Sequence, residues 1–173
     1  MVILASLQTH RKFTAESRNL GIGSDQLFSR IGKIGVKHYI LDANAVLRYL
    51  DPEAPGGNEK MTALFVEAKA GASHLMMSAV NLGEVLYTLL KSEPEERALQ
   101  MIRQLQQAIS IAEADFDRTV QASILKYRYK LGYADSFAAA LAIEYDATVV
   151  SADPSFEKLE RKLKWMKLPR FRG

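Results

Sequence analysis

The sequence predicts an α/β three-layer sandwich: a mostly parallel central sheet of about four to five strands with helices on both faces. Two observations lead there. From Lys37 onward, short apolar runs alternate with longer stretches of helical periodicity. The apolar runs are also continuous, as in strands covered on both sides, instead of switching between polar and apolar residues.

The elements follow in order. "KHYILD" is a strand, and "NAVLRYLD" is a helix ended by the breaker "PEAPGG". A helix runs over about Asn58–Ala70, where Met61, Leu64, Phe65 and Ala68 share one face. "SHLMMS" is the second strand and "AVNLGEVLYTLLKS" a strongly apolar helix. "PEERALQMIRQLQQA" opens with proline and acids, as suits a helix N-terminus. "ISIAEA" is a strand, "DFDRTVQASILKYRYKLG" an amphipathic helix stopped by Gly132, and "YADSFAAALAIEYD" a closely packed alanine-rich helix. "ATVVSAD" is a strand, "PSFEKLERKL" a helix and "KWMKL" a last short strand. Residues 1–36 lack such periodicity, and "GIGSD" and "FSRIGKIG" are glycine-broken. They read as a poorly structured extension, and 37–173 as one domain. Val36 is a candidate initiation codon, which would make the preceding residues an appended leader.

The chain has 173 residues, enough for one domain of ordinary size. It has no cysteine, which excludes disulfides, thiolate metal sites and a cysteine nucleophile. It has no apolar run long enough to cross a bilayer and no signal-peptide pattern, so a cytoplasmic location is expected. The net charge of +3 hides a polarity. Lys158 to Gly173 carries seven basic residues against one acid, on a body that is otherwise acidic from Lys37. A basic segment of this kind can bind phosphate backbones, although a solvated tail explains it as simply.

Four acids stand in apolar surroundings: Asp42 at the end of the first strand, Glu84 within "NLGEVLYTLL", Asp135 opening the alanine-rich helix, and Asp153 after "TVVSA". Each has a structural explanation by itself, since Asp135 and Asp153 suit helix caps and Asp42 a strand end. Four buried, unpaired carboxylates would be costly, and a shared divalent cation with oxygen ligands removes that cost. Asp42 and Asp153 both leave the carboxyl ends of strands, where ligands of parallel sheets gather.

These segments together, "YILDANAVL", "SAVNLGEVLYTLL" and "YADSFAAALAIEYDATVVSADPSFEKL", resemble the PIN-domain ribonucleases, in particular the VapC toxins of toxin–antitoxin pairs. The resemblance covers about residues 37–170 and is most specific in the Ser-x-Asp-Pro-x-Phe segment that starts at Ser151. It implies a PIN-like fold and an endoribonuclease dependent on Mg²⁺ or Mn²⁺. Asp42, Glu84, Asp135 and Asp153 would be both catalytic residues and metal ligands, supported by Asn44 and Ser151. It further implies an RNA substrate, structured targets such as tRNA among them, a cognate antitoxin and a homodimer. Lys130, Lys162, Lys164 and Arg170 are candidate RNA-binding residues. Trp165 and Phe171, interleaved with the basic C-terminal residues, could stack on bases, though Trp165 suits the core better.

Competing classes fit less well. A phosphatase of the haloacid-dehalogenase type wants Asp-x-Asp on the first strand, where this chain has Asn44. A receiver domain wants an aspartate on its middle strand, and "SHLMMSAVN" has none. No glycine-rich nucleotide loop follows the first strand. A solitary RNA-processing nuclease and a non-catalytic RNA-binding PIN domain remain as alternatives. Against the latter stands the presence of all four acids.

Overall fold

Five strands stand in the order β3-β2-β1-β4-β5, every neighbouring pair parallel. They are β1 (Lys37–Leu41), β2 (Ser73–Ser78), β3 (Ser110–Ala112), β4 (Thr148–Ser151) and β5 (Lys164–Lys167). The computed structural model describes residues 36–51 and 58–169. Apart from Val36, the expected N-terminal extension falls outside them, as does Arg170.

Six helices connect the strands: α1 (Ala43–Leu50), α2 (Asn58–Lys69), α3 (Ala79–Leu89), α4 (Glu95–Leu105), α5 (Phe116–Tyr129) and α6 (Tyr133–Glu144). Side chains alternate across each strand, so each strand feeds two cores. Leu41, Met77 and Val150 pack on one face with Val46 of α1, Met61 of α2, Val85 of α3 and Ile102 of α4. Ile40, Met76 and Val149 pack on the other with Leu125 of α5 and Phe137 and Leu141 of α6. This is the expected three-layer arrangement. The continuous apolar runs follow from it, because both faces of each central strand are dry.

Three local expectations differ from the fold. The segment after Asp153 is a single short 3₁₀ helix, Pro154–Leu159, instead of a full α-helix. Only Phe156 and Leu159 of it are buried, too small an apolar face to hold several turns. The strand foreseen in "ISIAEA" shortens to the three residues of β3. Helix α5 ends at Lys130, not at Gly132: Lys130 takes the left-handed conformation (φ 54°) and donates its backbone N–H to the Lys126 carbonyl. Gly132 serves the next helix instead. A Cβ there would collide with the Asp135 carboxylate.

The order of connections places the site. The chain steps from β1 outward to β2 and β3, then returns past β1 to lay down β4 and β5. The switch point lies between β1 and β4. In open parallel sheets the ligand crevice lies at such a point, at the carboxyl ends of the strands, and Asp42 and Ser151 stand there.

Candidate metal-binding active site

Asp42 is the N-cap residue of α1, but its carboxylate makes no capping bond. The backbone does that work, since the Asp42 carbonyl accepts from the N–H groups of Ala45 and Val46 at 3.1 and 3.3 Å. The freed carboxylate lies 98% out of solvent contact. Its Oδ1 accepts from Asn81 Nδ2 at 3.1 Å and its Oδ2 from Ser151 Oγ at 2.6 Å. Among the described residues no ammonium or guanidinium pairs with it. Burial pushes its pKa up to about 7, the Ser151 hydroxyl opposes that rise, and Asp135 and Glu84 add to it.

From Asp42 a line of hydrogen bonds leads to two further acids. Ser151 Oγ accepts from the Asp153 N–H at 2.9 Å. The Asp153 carboxylate caps the 3₁₀ helix by accepting from Ser155 N–H at 2.7 Å. Ser155 Oγ reaches Asp135 Oδ2 at 3.5 Å, which also accepts from the Gly132 N–H at 3.1 Å. Asp135 and Asp153 thus do act as caps, yet both turn toward the same crevice. Burial raises the pKa of Asp135, the charge of Asp153 raises it further, and Lys126 is among the groups that lower it.

Glu84 joins by charge alone. It sits on α3, one turn beyond Asn81, and is exposed, not buried as the apolar run around it suggested. The run reads as a closed apolar face because Val85 and Leu89 beside it are buried, while Glu84 itself is exposed. Partial burial raises its pKa, and Asp135 and Asp153 raise it further. All four sequence-predicted acids therefore meet electrostatically, although only Asp42 is buried.

The supporting residues divide. Ser151 stands where expected and bonds both Asp42 and Asp153. Asn44 is exposed, and the amide that grips Asp42 belongs to Asn81, which sequence reasoning left without a role. Its signal was present: a polar residue three positions before Glu84 lies on the same side of the helix. Ser155 was also missed, though Asp-Pro-Ser is an Asx-type turn that fixes a serine near the aspartate.

The basic candidates fall in different places. Lys164 pairs in register with Thr148 and forms an ion pair with Asp146, so it lies at the end of the sheet away from the acids. Lys162 is exposed. Lys130 follows α5 on the turn that leads to Asp135, with its ammonium 5.0 Å from the Tyr127 ring centre. Lys167, not singled out from sequence, lies beside Ser151 at the acid end and pairs with Glu157 at 2.6 Å. Trp165 is half-buried, and its indole N–H donates to the Ser151 carbonyl at 3.1 Å.

The donor set suits a hard divalent cation: carboxylate oxygens, a buried charge with only neutral partners, and acids that destabilise one another's ionised forms. Among the described residues no three acidic or imidazole side chains form a ready-made cage.

The fold and the acid crevice together define a class. A family model for the PIN domain matches residues 39–162, and the chain belongs to the PIN-domain family. Solved structures share the fold. VapBC2 of Rickettsia felis, bound to a promoter DNA fragment, superimposes with a TM-score of 0.61 at 18% identity, over 76% of this chain and 99% of that one. VapBC-1 of nontypeable Haemophilus influenzae gives 0.58 at 16% identity, over 75% and 97%. VapC20 of Mycobacterium tuberculosis, described as a Sarcin–Ricin loop cleaving toxin, gives 0.57 at 14% identity, over 69% and 92%. No curated protein sequence matches the chain. Among the described residues no helix is long and apolar enough to cross a membrane.

Proposed function

We propose that this chain is a divalent-metal-dependent endoribonuclease, the toxin of a VapC-type toxin–antitoxin pair. One observation carries the reading. The most buried acid of the crevice, Asp42, has no cationic partner among the described residues, and two further carboxylates press on it. A protein that keeps such a charge gains from a cation brought from solution. Nucleases of the PIN family generally use divalent metal ions. Asp42 and Asp153 would be the innermost ligands, Asp135 close to them, and Glu84 a ligand directly or through water.

A bound divalent cation supplies Lewis-acid stabilisation of charge on a scissile phosphate and lowers the pKa of water. The chain's own residues do the rest. Asn81 and Ser151 hold the Asp42 carboxylate by both oxygens. Ser155 ties the Asp153 turn to Asp135. Lys130, on the turn before Asp135, offers positive charge to an RNA backbone that the acids alone would repel, as does Lys167, beside Ser151 in register, though Glu157 shares its charge. The toxin role rests on neighbours solved as VapBC complexes. By the same analogy we assign this chain an antitoxin partner; a homodimeric state and a cytoplasmic location are proposed from the family resemblance alone.

The test is cleavage of structured RNA, tRNA included, by wild type and Asp42→Asn, with and without Mg²⁺ or Mn²⁺. Metal-dependent cleavage by wild type alone is expected. Absence of cleavage by wild type with metal, or equal cleavage by Asp42→Asn, ends the enzyme reading. Rescue of growth by co-expressing a short neighbouring reading frame tests the toxin role separately.

A further inference from the structure

Asn81 is fully buried, and its amide is fixed at both ends. Ser78, the last residue of β2 and the N-cap of α3, donates its hydroxyl to Asn81 Oδ1. The same hydroxyl accepts the Asn81 backbone N–H at 3.1 Å. With its oxygen engaged by a donor, the amide can turn only its NH₂ toward Asp42, where it meets Oδ1 at 3.1 Å. Ser78 is itself fully buried. The contact spans 39 residues of sequence, tying the β2–α3 junction to the β1–α1 junction. On the other side Ser151 grips Oδ2, so a neutral side-chain donor holds each oxygen of Asp42, and the Ala43 backbone N–H adds to them.

We infer that Asn81, locked by Ser78, is a positioning residue that sets the metal affinity of the crevice by holding Asp42 in its ligating orientation. The inference rests on the metal-site reading above and names a determinant of that site which the acids themselves do not reveal. The physical reason is preorganisation. An aspartate free to rotate must lose that freedom when a cation binds, and a clamped one has lost it on folding. A neutral amide suits the task, because it fixes the carboxylate without competing with the cation for its charge. A lysine in its place would hold Asp42 equally well and neutralise it, leaving less for the metal to gain. Partners that orient a metal-binding side chain commonly change affinity by about 10- to 100-fold when removed.

A clamp of this kind makes a distinctive prediction. Asn81→Ala leaves Asp42 in place, so it weakens binding while the filled site still works. Activity should return at high metal concentration, whereas Asp42→Asn should not be rescued by any. Ser78→Ala keeps the amide but frees it to turn, so it should fall between wild type and Asn81→Ala. Ser78→Thr keeps the hydroxyl and should bind metal as wild type does.

The experiment measures Mn²⁺ binding to the full chain by electron paramagnetic resonance of the free ion, without RNA. Melting temperatures are recorded beside it, with Leu89→Ala, at the opposite end of α3 from Asn81, as a destabilised control. A weakening of about 10-fold or more for Asn81→Ala, less for Ser78→Ala and none for Ser78→Thr or Leu89→Ala supports the clamp. If Asn81→Ala binds Mn²⁺ as wild type does, or if Leu89→Ala weakens binding as much for the same lost stability, the clamp is wrong. Should Asn81→Ala fail to fold, the Ser78→Ala and Ser78→Thr pair decides: equal affinities overturn it. If wild type itself binds no more tightly than Asp42→Asn, the metal-site reading has failed before the clamp is reached.

Discussion

Replacing Asp42 by asparagine should stabilise the metal-free protein at alkaline pH, and the size follows from its burial. An aspartate carboxyl ordinarily titrates near 3.8, and burial raises this one to about 7. Protons are therefore held more tightly by the native state. Stability from this group is full below pH 3.8 and is lost as pH rises through about 7. At about 1.4 kcal/mol for each tenfold change in proton affinity, the ionised group costs the fold about 4 kcal/mol at pH 8. Part of that loss is already present at pH 5, so between pH 5 and pH 8 wild type loses about 2.5 kcal/mol that Asp42→Asn keeps. The asparagine has one acceptor oxygen for the two donors, Asn81 and Ser151, so it forfeits one of their bonds, at about 1 kcal/mol, but does so at both pH values. Glu84 and Asp135 also titrate in both chains, so the difference of differences reports Asp42 together with its coupling to those two acids. In a domain of this size the effect is about 5–10 °C in melting temperature. The assay is thermal unfolding in chelator at pH 5 and pH 8 for both chains. A pH-dependent difference below about 1 kcal/mol would refute the claim that Asp42 is a buried, uncompensated charge. Adding Mg²⁺ at pH 8 should recover stability for wild type only, since a ligand stabilises the state that binds it.

Other expectations are as direct. Arg118→Ala should destabilise by about 2–4 kcal/mol, because its buried guanidinium makes two 2.9 Å bonds to Glu144 and a third to the Glu113 carbonyl. Glu144 ends α6 and Asp135 begins it, so RNA cleavage per folded molecule should be unchanged, as read by denaturant unfolding beside a cleavage assay. Lys130→Gly should raise stability by up to about 1 kcal/mol, because glycine takes the left-handed conformation of Lys130 without strain. The same change should weaken RNA binding to the Asp42→Asn chain, measured by fluorescence anisotropy. Equal affinity would remove Lys130 from the RNA contacts. Glu84→Gln should weaken Mn²⁺ binding less than Asp42→Asn does, since Glu84 is exposed and loses little by becoming neutral. A larger loss for Glu84 would reverse their assigned order.

What was legible in the sequence, and what was not, follows from the range of the forces involved. The alternation of "YIL", "LMM" and "VVS" with helical segments determined the layers, because strands buried on both faces must be apolar throughout. The four acids stood out for the complementary reason: charge set among apolar residues needs an explanation. Local geometry even assigned Asp135 and Asp153 as caps, and both are. The failures were those of marginal elements. The turn after Asp153 had too little apolar surface to become an α-helix, and Lys130 ended α5 in a conformation usually left to glycine.

Only the tertiary structure decided how the acids are held. The partners of Asp42 come from 39 and 109 residues away, and no periodicity encodes a contact between β1, α3 and β4. Parallel order brings those elements together: the return of the chain past β1 makes a crevice and puts Ser151 beside Asp42. The sequence alone determined that four carboxylates stand among apolar residues. The fold decided that one of them is sealed from water between two neutral donors while the other three stay closer to solvent. That difference arises because burial and dielectric belong to the packed chain, not to any stretch of it.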